Sequence, residues 1–491
     1  MGFKADTSFL RFLSMGAAGA NQTIAQLKAG GFEPIELERY CTSNKIWATK
    51  VKRLRLPDIL CVRTGLRVEV RAKSDLRIRM SDALANPDRR WDAGLADNDL
   101  VAFIACSDHN GMPTPAEAAV FFTVGALRAT EGTSQLGPPK SASEGAERDR
   151  TWPSVVPSRN GVVESVDGER LRVLMDAEEG RQARSQTYQL RGKMPYVAPG
   201  ERFFGEASIL AGTPRHLGQL AQYRGNDYDP LANLAAVDPV DRYAAVKALP
   251  YRPDLRPRAV AAIEQRLDVE TDDRVALEAA GAGSAIGSAK AGDRLRAVLW
   301  DHERADLRME AVLILTELRS GDAREILNSV ATDERFVQDE IRQAAVWGLG
   351  KAGVRAYGDL IPFIADSDRD VALHAIAGFG SDTSGPIIDR LIAELIAANR
   401  ERAPAASEAL RIIGSEVVLE RLIAAARGRN GSDAWILATL GRLAADRVRA
   451  ALQNDPLLER LAPLLLLTES ANWIADGSVD IDLKFLLKQN L

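Results

Sequence analysis

The sequence predicts a multi-domain protein: an α/β unit, then a small all-β unit, then an all-α array of repeated helix pairs. Three observations predict it. The chain has 491 residues, too many for one compact core. Its texture changes from alternating helix and strand signals to short alternating strands, and then to Ala- and Leu-rich helical periodicity. The last texture repeats every 30–35 residues.

Residues 1–128 form the α/β segment. An amphipathic run at 17–28 predicts a helix, and apolar stretches at 58–62, 66–73, 100–105 and 118–124 predict strands. The stretch 129–160 turns to Gly, Pro, Ser, Glu and Lys, with few large apolar residues to offset chain entropy, and reads as a linker or long exposed loop. Within 161–215, segments 162–166, 171–175, 187–190 and 203–210 are short strands separated by Gly, Asp and Pro, as in a small antiparallel sheet or barrel. Tyr188, Arg191, Lys193 and Tyr196 form an ordinary strand surface here, with nucleic-acid stacking as the sharper alternative.

From residue 230 to 491 the chain is helical. A small residue, an aliphatic one, and a further apolar residue three positions on recur at Ala245-Val246…Leu249, Ala311-Val312…Leu315, Ala345-Val346…Leu349, Ala375-Ile376…Phe379 and Ala409-Leu410…Ile413. A degenerate copy lies near 274–281, and arginine precedes the Ala by three at Arg242, Arg308 and Arg342. Each unit holds two helices whose apolar stripes need the next unit for burial. This pattern resembles HEAT-type repeats, which implies an α-solenoid with a concave face for a protein or nucleic-acid partner. The arginines read as turn caps or inter-repeat bonds, and Trp347 and Trp435 as core. The Gly-rich 279–291 lacks phosphate-loop spacing and reads as loose helix packing, and 457–467 reads as a terminal cap.

Composition narrows the chemistry. Three cysteines, far apart, exclude a disulfide framework and a four-cysteine zinc site, as in a reducing, cytoplasmic setting. Four scattered histidines leave little for histidine-centred catalysis. No apolar run reaches the roughly 18–20 residues of a membrane span, and the apolar stretch 9–20, interrupted by Arg11, reads as a first core helix rather than a signal segment. The net charge of −5 conceals an asymmetry: residues 1–92 hold seventeen Lys/Arg against ten Asp/Glu, so a +7 front is joined to a −12 remainder. A basic segment on an acidic chain points to a polyanion, with nucleic acid the default.

The richest stretch runs from Leu54 to Lys73, two strands about a Thr64-Gly65 turn. With a two-residue loop, Leu60 pairs with Glu69 and Asp58 with Arg71, so Asp58, Glu69, Arg71 and Lys73 share one face and the two carboxylates are diagonal neighbours. A three-residue loop pairs Asp58 with Val70 and sends Glu69 to the other face. In the first register two carboxylates can share one hard divalent cation, which activates water and neutralises a phosphate, while a nearby lysine steadies the developing charge.

Pro57-Asp58 followed after eleven residues by Glu69, on paired strands after an amphipathic helix, resembles the PD-(D/E)xK nuclease superfamily. The resemblance implies a restriction-endonuclease-like mixed sheet flanked by helices over residues 1–128, with Asp58 and Glu69 as ligands of Mg²⁺ or Mn²⁺. The sequence departs from the family pattern at Arg71, which stands where the lysine belongs; Lys73 follows two residues later on the same face. Glu36 or Glu38 is a candidate for an additional carboxylate. Lys45, Lys50, Lys52, Arg53 and Arg55 are candidate phosphate contacts, and the polar run from Ser81 to Asp92 adds potential ligands. Two functions follow as expectations. The first is a metal-dependent nuclease, with DNA ahead of RNA as substrate, carrying a solenoid that recruits substrate or partner, as suits bacterial defence or DNA processing. The second is a non-enzymatic scaffold whose degenerate nuclease-like module grips nucleic acid.

Overall fold

The computed structural model describes residues 7–37, 47–49, 51, 54–82, 87, 90–109, 112–137, 148–213, 220–318, 321–337, 339–351, 353–397, 402–428 and 434–470, with backbone alone for 7–13, 108–109, 112, 221–222, 463–464 and 466–470. The chain forms two compact units, Met1–Cys41 with Arg53–Ala262, and Thr42–Lys52 with Ile263–Leu491. Segments 1–128 and 161–215 therefore share one unit with the first helices after residue 230.

In the first unit, helix α1 (Thr7–Ala29) packs on a mixed sheet of β1 (Pro34–Glu36), β2 (Ile59–Cys61), β3 (Arg67–Lys73), β5 (Leu100–His109) and β6 (Met112–Pro115), in that order, with β7 (Val120–Thr123) also pairing β5. Only β3 and β5 run parallel; the other pairs are antiparallel. Side-chain alternation separates two apolar layers. Val68, Leu100, Ala102 and Ile104 join Leu27 and Phe32 in the α1-facing layer, whereas Val101, Phe103 and Ala105 join Trp91, Phe122 and Trp152 on the opposite face. Gly19 brings α1 close, since a Cβ there would lie 2.7 Å from the Ala72 Cβ and 2.9 Å from Ile104.

The expected linker 129–160 is a structural element over much of its length. Helix α2 (Val124–Ala129) leads into β8 (Thr133–Leu136), and β9 (Arg148–Thr151) pairs with both β8 and β4 (Arg79–Asp82) to make a three-stranded antiparallel sheet. Composition misleads here because the strands satisfy their backbone groups with one another. One aromatic anchors them: Trp152 is buried edge-on to Trp91 at 4.9 Å, with its indole N–H on the Leu127 carbonyl at 2.8 Å.

Downstream, β11 (Gly161–Asp167), β12 (Arg170–Met175), β13 (Arg184–Gln189) and β15 (Arg202–Phe203) make a four-stranded antiparallel sheet; β10 (Ser154–Val155), β14 (Met194–Pro195) and β16 (Ala211–Gly212) make a three-stranded one. Both feed one small core around Val163, Leu171, Val173 and Phe203. The expected strand 203–210 is interrupted by a 3₁₀ turn at Gly205–Ala207. Tyr188 is half-buried against this core and Tyr196 is buried with its hydroxyl on the Thr213 carbonyl, in keeping with an ordinary strand surface.

The second unit is helical: α3 (Asp273–Ala285), α4 (Ala289–Asp301), α5 (Ala305–Glu317), α6 (Gly321–Thr332), α7 (Glu340–Leu349), α8 (Arg369–Ala377), α9 (Gly385–Ile396), α10 (Ala403–Ile413), α11 (Glu416–Gly428), α12 (Ala434–Gly441), α13 (Ala445–Ala451) and α14 (Leu457–Ser470). Asp272, Ser288, Asp339 and Asp368 cap helix N-termini with their side chains. One row of packed helices runs α3, α5, α7, α8, α10, α12, α14, each against the next. The small residues of the repeat in this unit, Ala311, Ala345, Ala375 and Ala409, are all fully buried. The Gly-rich stretch is tightly packed rather than loose: a Cβ on Gly281 would fall 2.5 Å from Ile314. Segment 42–52 belongs to this unit. Trp47 is 1% exposed, edge-on to Trp347 at 5.9 Å, and the N–H groups of Ala48 and Thr49 donate to the two carboxylate oxygens of Glu340 at 2.6 and 2.7 Å.

Arginines in the repeat bind across it. Arg308 meets Asp339 at 3.3 Å, and Arg342 meets Asp366 at 2.6 Å while donating to the Ala331 carbonyl. In the first unit, Arg242 donates to the Ala236 and Val237 carbonyls. These are structural contacts.

Candidate functional site

The register of β2 and β3 decides whether the two carboxylates meet. Ile59 pairs with Val68 and Leu60 with Arg67, so one step further Asp58 stands directly opposite Glu69. The turn is neither of the expected lengths. The Cys61 N–H donates to the Leu66 carbonyl, and the Cys61 carbonyl accepts from both Thr64 and Gly65, leaving four residues in the loop. Gly65 makes this possible: its φ is +70°, and a Cβ would strike the Tyr228 ring at 2.7 Å. A four-residue loop has the parity of a two-residue one, so Asp58 and Glu69 share a face, as opposed rather than diagonal neighbours.

Asp58 ends its strand by accepting the Val70 N–H at 2.6 Å, while its carbonyl accepts from Leu37. Glu69, Arg71 and Lys73 project from β3 on the face opposite α1, beside Val101, Phe103 and Ala105. Glu69 is only 13% exposed, with Oε1 2.8 Å from Arg71 Nη2. Burial pushes its carboxyl up to about 8; Arg71 and Arg55 hold it down, and Asp58 raises it further. Lys73 is lowered to about 8 by burial, and then by Arg79 and Arg71. An acid held up and a base held down on one strand face are the signature of a site kept under electrostatic tension.

Other sequence candidates divide. Arg55 is exposed, and its charge is felt at Glu69. Lys45, Lys50, Lys52 and Arg53, together with Glu38, lie outside the described residues. Glu36 pairs with Ile59, which puts it on the α1 face, away from Glu69. From the polar run, Asp82 is buried and Asp92 is tied to Arg128 at 2.8 Å. Among the described residues no group of three or more His, Cys, Asp or Glu side chains is arranged to hold a metal ion.

Sequence reasoning missed two contributors. Arg67, two residues before Glu69 on the same face, holds Asp99 in a buried two-pronged pair at 2.8 and 2.9 Å and also reaches Asp241 at 2.8 Å. Asp149 of β9 raises the affinity of Lys73 for its proton, bringing the supposed linker into the electrostatics of the site. Alternation of charges in Arg148-Asp149-Arg150 was the available signal. No protein-family model matches the chain, and no curated protein is significantly similar to it in sequence.

Proposed function

We propose that the first unit is a metal-dependent phosphodiesterase module of PD-(D/E)xK type acting on nucleic acid, DNA before RNA, and that the helical unit is a HEAT-type scaffold presenting substrate or partner. The observation that carries this reading is the direct opposition of Asp58 and Glu69 on one strand face, with Lys73 four residues beyond on that face. Two carboxylates suit Mg²⁺ or Mn²⁺, which bind through one or two carboxylates and take their other ligands from water and phosphate oxygens. Such a cation supplies an acidified water and charge neutralisation at phosphorus. Asp58, anchored on the Val70 N–H, orients one oxygen for it. Burial holds the Glu69 carboxyl up at about 8, so added positive charge favours its ionised form. Lys73, easily deprotonated, takes or steadies a proton near pH 8. The mixed sheet under α1 is consistent with the family fold, and the helix row with buried small residues at the repeat period is consistent with a solenoid.

A second reading has its own observation. Arg71 already sits on Glu69, supplying in cis the charge a metal would bring, and a guanidinium does not act as a base. That favours a gripping module without catalysis. Incubating the protein with labelled single- and double-stranded DNA and RNA, with Mg²⁺, Mn²⁺ or chelator, separates the two. Metal-dependent cleavage lost by at least about a hundredfold in Asp58→Ala and Glu69→Ala supports the hydrolase. Retained binding without cleavage on every substrate supports the second reading, and cleavage indifferent to both substitutions removes the site.

A further inference from the structure

We propose that the β4–β9–β8 sheet carries a phosphate clamp, formed by Arg148 and Arg150, that holds one backbone phosphate of a nucleic-acid strand away from the hydrolytic site. As to the choice of ligand, the proposal rests on the nucleic-acid reading above. The two arginines line a cleft of about 430 Å³ with Arg128, Asp82, Ser134 and the chain from Ala129 to Gly132.

What marks them is their lack of partners. Several described arginines elsewhere are spoken for: Arg67 by Asp99, Arg128 by Asp92 and Asp97, Arg342 by Asp366. Among the described residues neither the Arg148 nor the Arg150 guanidinium makes an ion pair or hydrogen bond, and the Arg150 Nε is buried without an acceptor. Burying a charged donor unsatisfied is costly, so a sheet that keeps the Arg150 Nε enclosed, beside a second guanidinium exposed at Arg148, implies an anion from outside.

The geometry holds them ready. Arg148 and Arg150 are two apart on the central strand, paired to Asp82 and Met80 on one side and to Leu136 and Ser134 on the other. They therefore project from one face, with origins about 6–7 Å apart. Arg150 lies over two indoles, its Cζ 5.1 Å from the Trp152 ring centre and 5.8 Å from that of Trp91. Stacking fixes the guanidinium plane and lowers the entropy lost on binding. A tetrahedral phosphate, with oxygens for two planar donors, fits such a pair better than a monodentate anion. Two carboxylates limit the site. Asp82 on the wall accepts from the Trp91 backbone N–H at 3.4 Å, and Glu131 is exposed at the rim. They make this a single clamped phosphate rather than a broad basic trough.

The test is fluorescence anisotropy of the full-length protein with a fluorescein-labelled 20-nucleotide DNA strand in chelator, where no cleavage intrudes. Arg148→Ala, at an exposed side chain, and the double Arg148→Ala/Arg150→Ala are compared with Arg170→Ala on the separate β12 strand. The expected result is affinity weakened about tenfold in the double variant, with its log Kd against log salt slope shallower by about 0.7, the value for one phosphate on a single strand. Arg148→Ala alone, expected to keep the wild-type melting temperature, should lose part of the same affinity, which separates clamp from misfolding. Binding within twofold of wild type in both variants overturns the clamp. Displacement by a mononucleotide at matched phosphate concentration reassigns the cleft to a free small molecule and overturns the strand assignment. Clamp-dependent binding by a wild-type protein that never cleaves would leave the clamp standing and remove the hydrolase.

Discussion

Charge is handled in opposite ways at Glu69 and Lys73 of β3 and among the paired arginines of the helical unit. In the helices, arginine meets carboxylate at about the repeat spacing: Arg304 with Asp273, Arg308 with Asp339, Arg324 with Asp359 and Arg447 with Glu416. Where the pKa of such carboxylates moves, it moves down, as at Asp366 beside Arg342. On β3, burial wins: Glu69 is pushed up despite Arg71, and Lys73 is pushed down. Both regions are rich in arginine, so residue content does not distinguish them. The difference lies in whether each charge has an opposite charge that matches its burial. A matched pair serves the fold, and a mismatched one waits for something to bind.

The comparison breaks visibly at an enclosed matched pair of the helical unit. Arg342 and Asp366 are 12% and 14% exposed and joined by two bonds. Arg342→Ala leaves Asp366 buried without its partner and frees the Ala331 carbonyl, so a loss of about 3 kcal/mol in urea unfolding is expected. Strand binding and cleavage should not change at a temperature where the variant is folded.

A mismatched group should respond in the reverse sense. The folded-state pKa of Glu69 lies above its unfolded value, so between about 4.5 and 8 the unfolded chain binds fewer protons and stability falls as pH rises. Lys73 lies below its unfolded value, so its contribution recovers as pH climbs from about 8 to 10.5. Together they place a stability minimum near pH 8. Glu69→Gln should raise stability there, on the order of 2 kcal/mol, while abolishing the proposed cleavage, and Lys73→Met should flatten the alkaline limb. Melting curves from pH 5 to 10 check both. A Glu69→Gln protein less stable than wild type at pH 8 means Arg71 has matched the charge after all. Millimolar Mg²⁺ should stabilise the wild type at pH 8 and leave Glu69→Gln unmoved.

The same contrast explains what could be read in advance. Apolar periodicity made the helical region legible, because Ala311, Ala345, Ala375 and Ala409 are buried for a reason that acts locally, on one helix face. The shared face of Asp58 and Glu69 was legible only as a parity. Loop length is set by Tyr228 packing on Gly65, a contact between residues 163 positions apart that no local pattern encodes. The sheet of β4, β8 and β9 was missed for a related reason. Its strands are polar, and Trp152 and Met80 supply the burial that composition could not assign. Trp47 likewise carried no signal, because the rings it packs on, Trp347 and His374, lie far along the chain, and the neighbouring Ala48 donates to Glu340, 292 residues away.

The smallest effect sharpens the contrast at its other limit. Arg447 meets Glu416 at 2.6 Å, as close as the buried Arg342 pair, yet the two side chains are 40% and 68% exposed. If distance governed, Glu416→Gln would cost as much as Arg342→Ala. If burial governs, water already solvates both ions, and ordering two long side chains offsets most of the attraction. A double-mutant cycle of Glu416→Gln with Arg447→Gln should then give a coupling of about 0.5 kcal/mol that fades in 1 M salt. A coupling above about 2 kcal/mol would mean that spacing, not enclosure, separates the matched charges of the helices from the mismatched ones on β3.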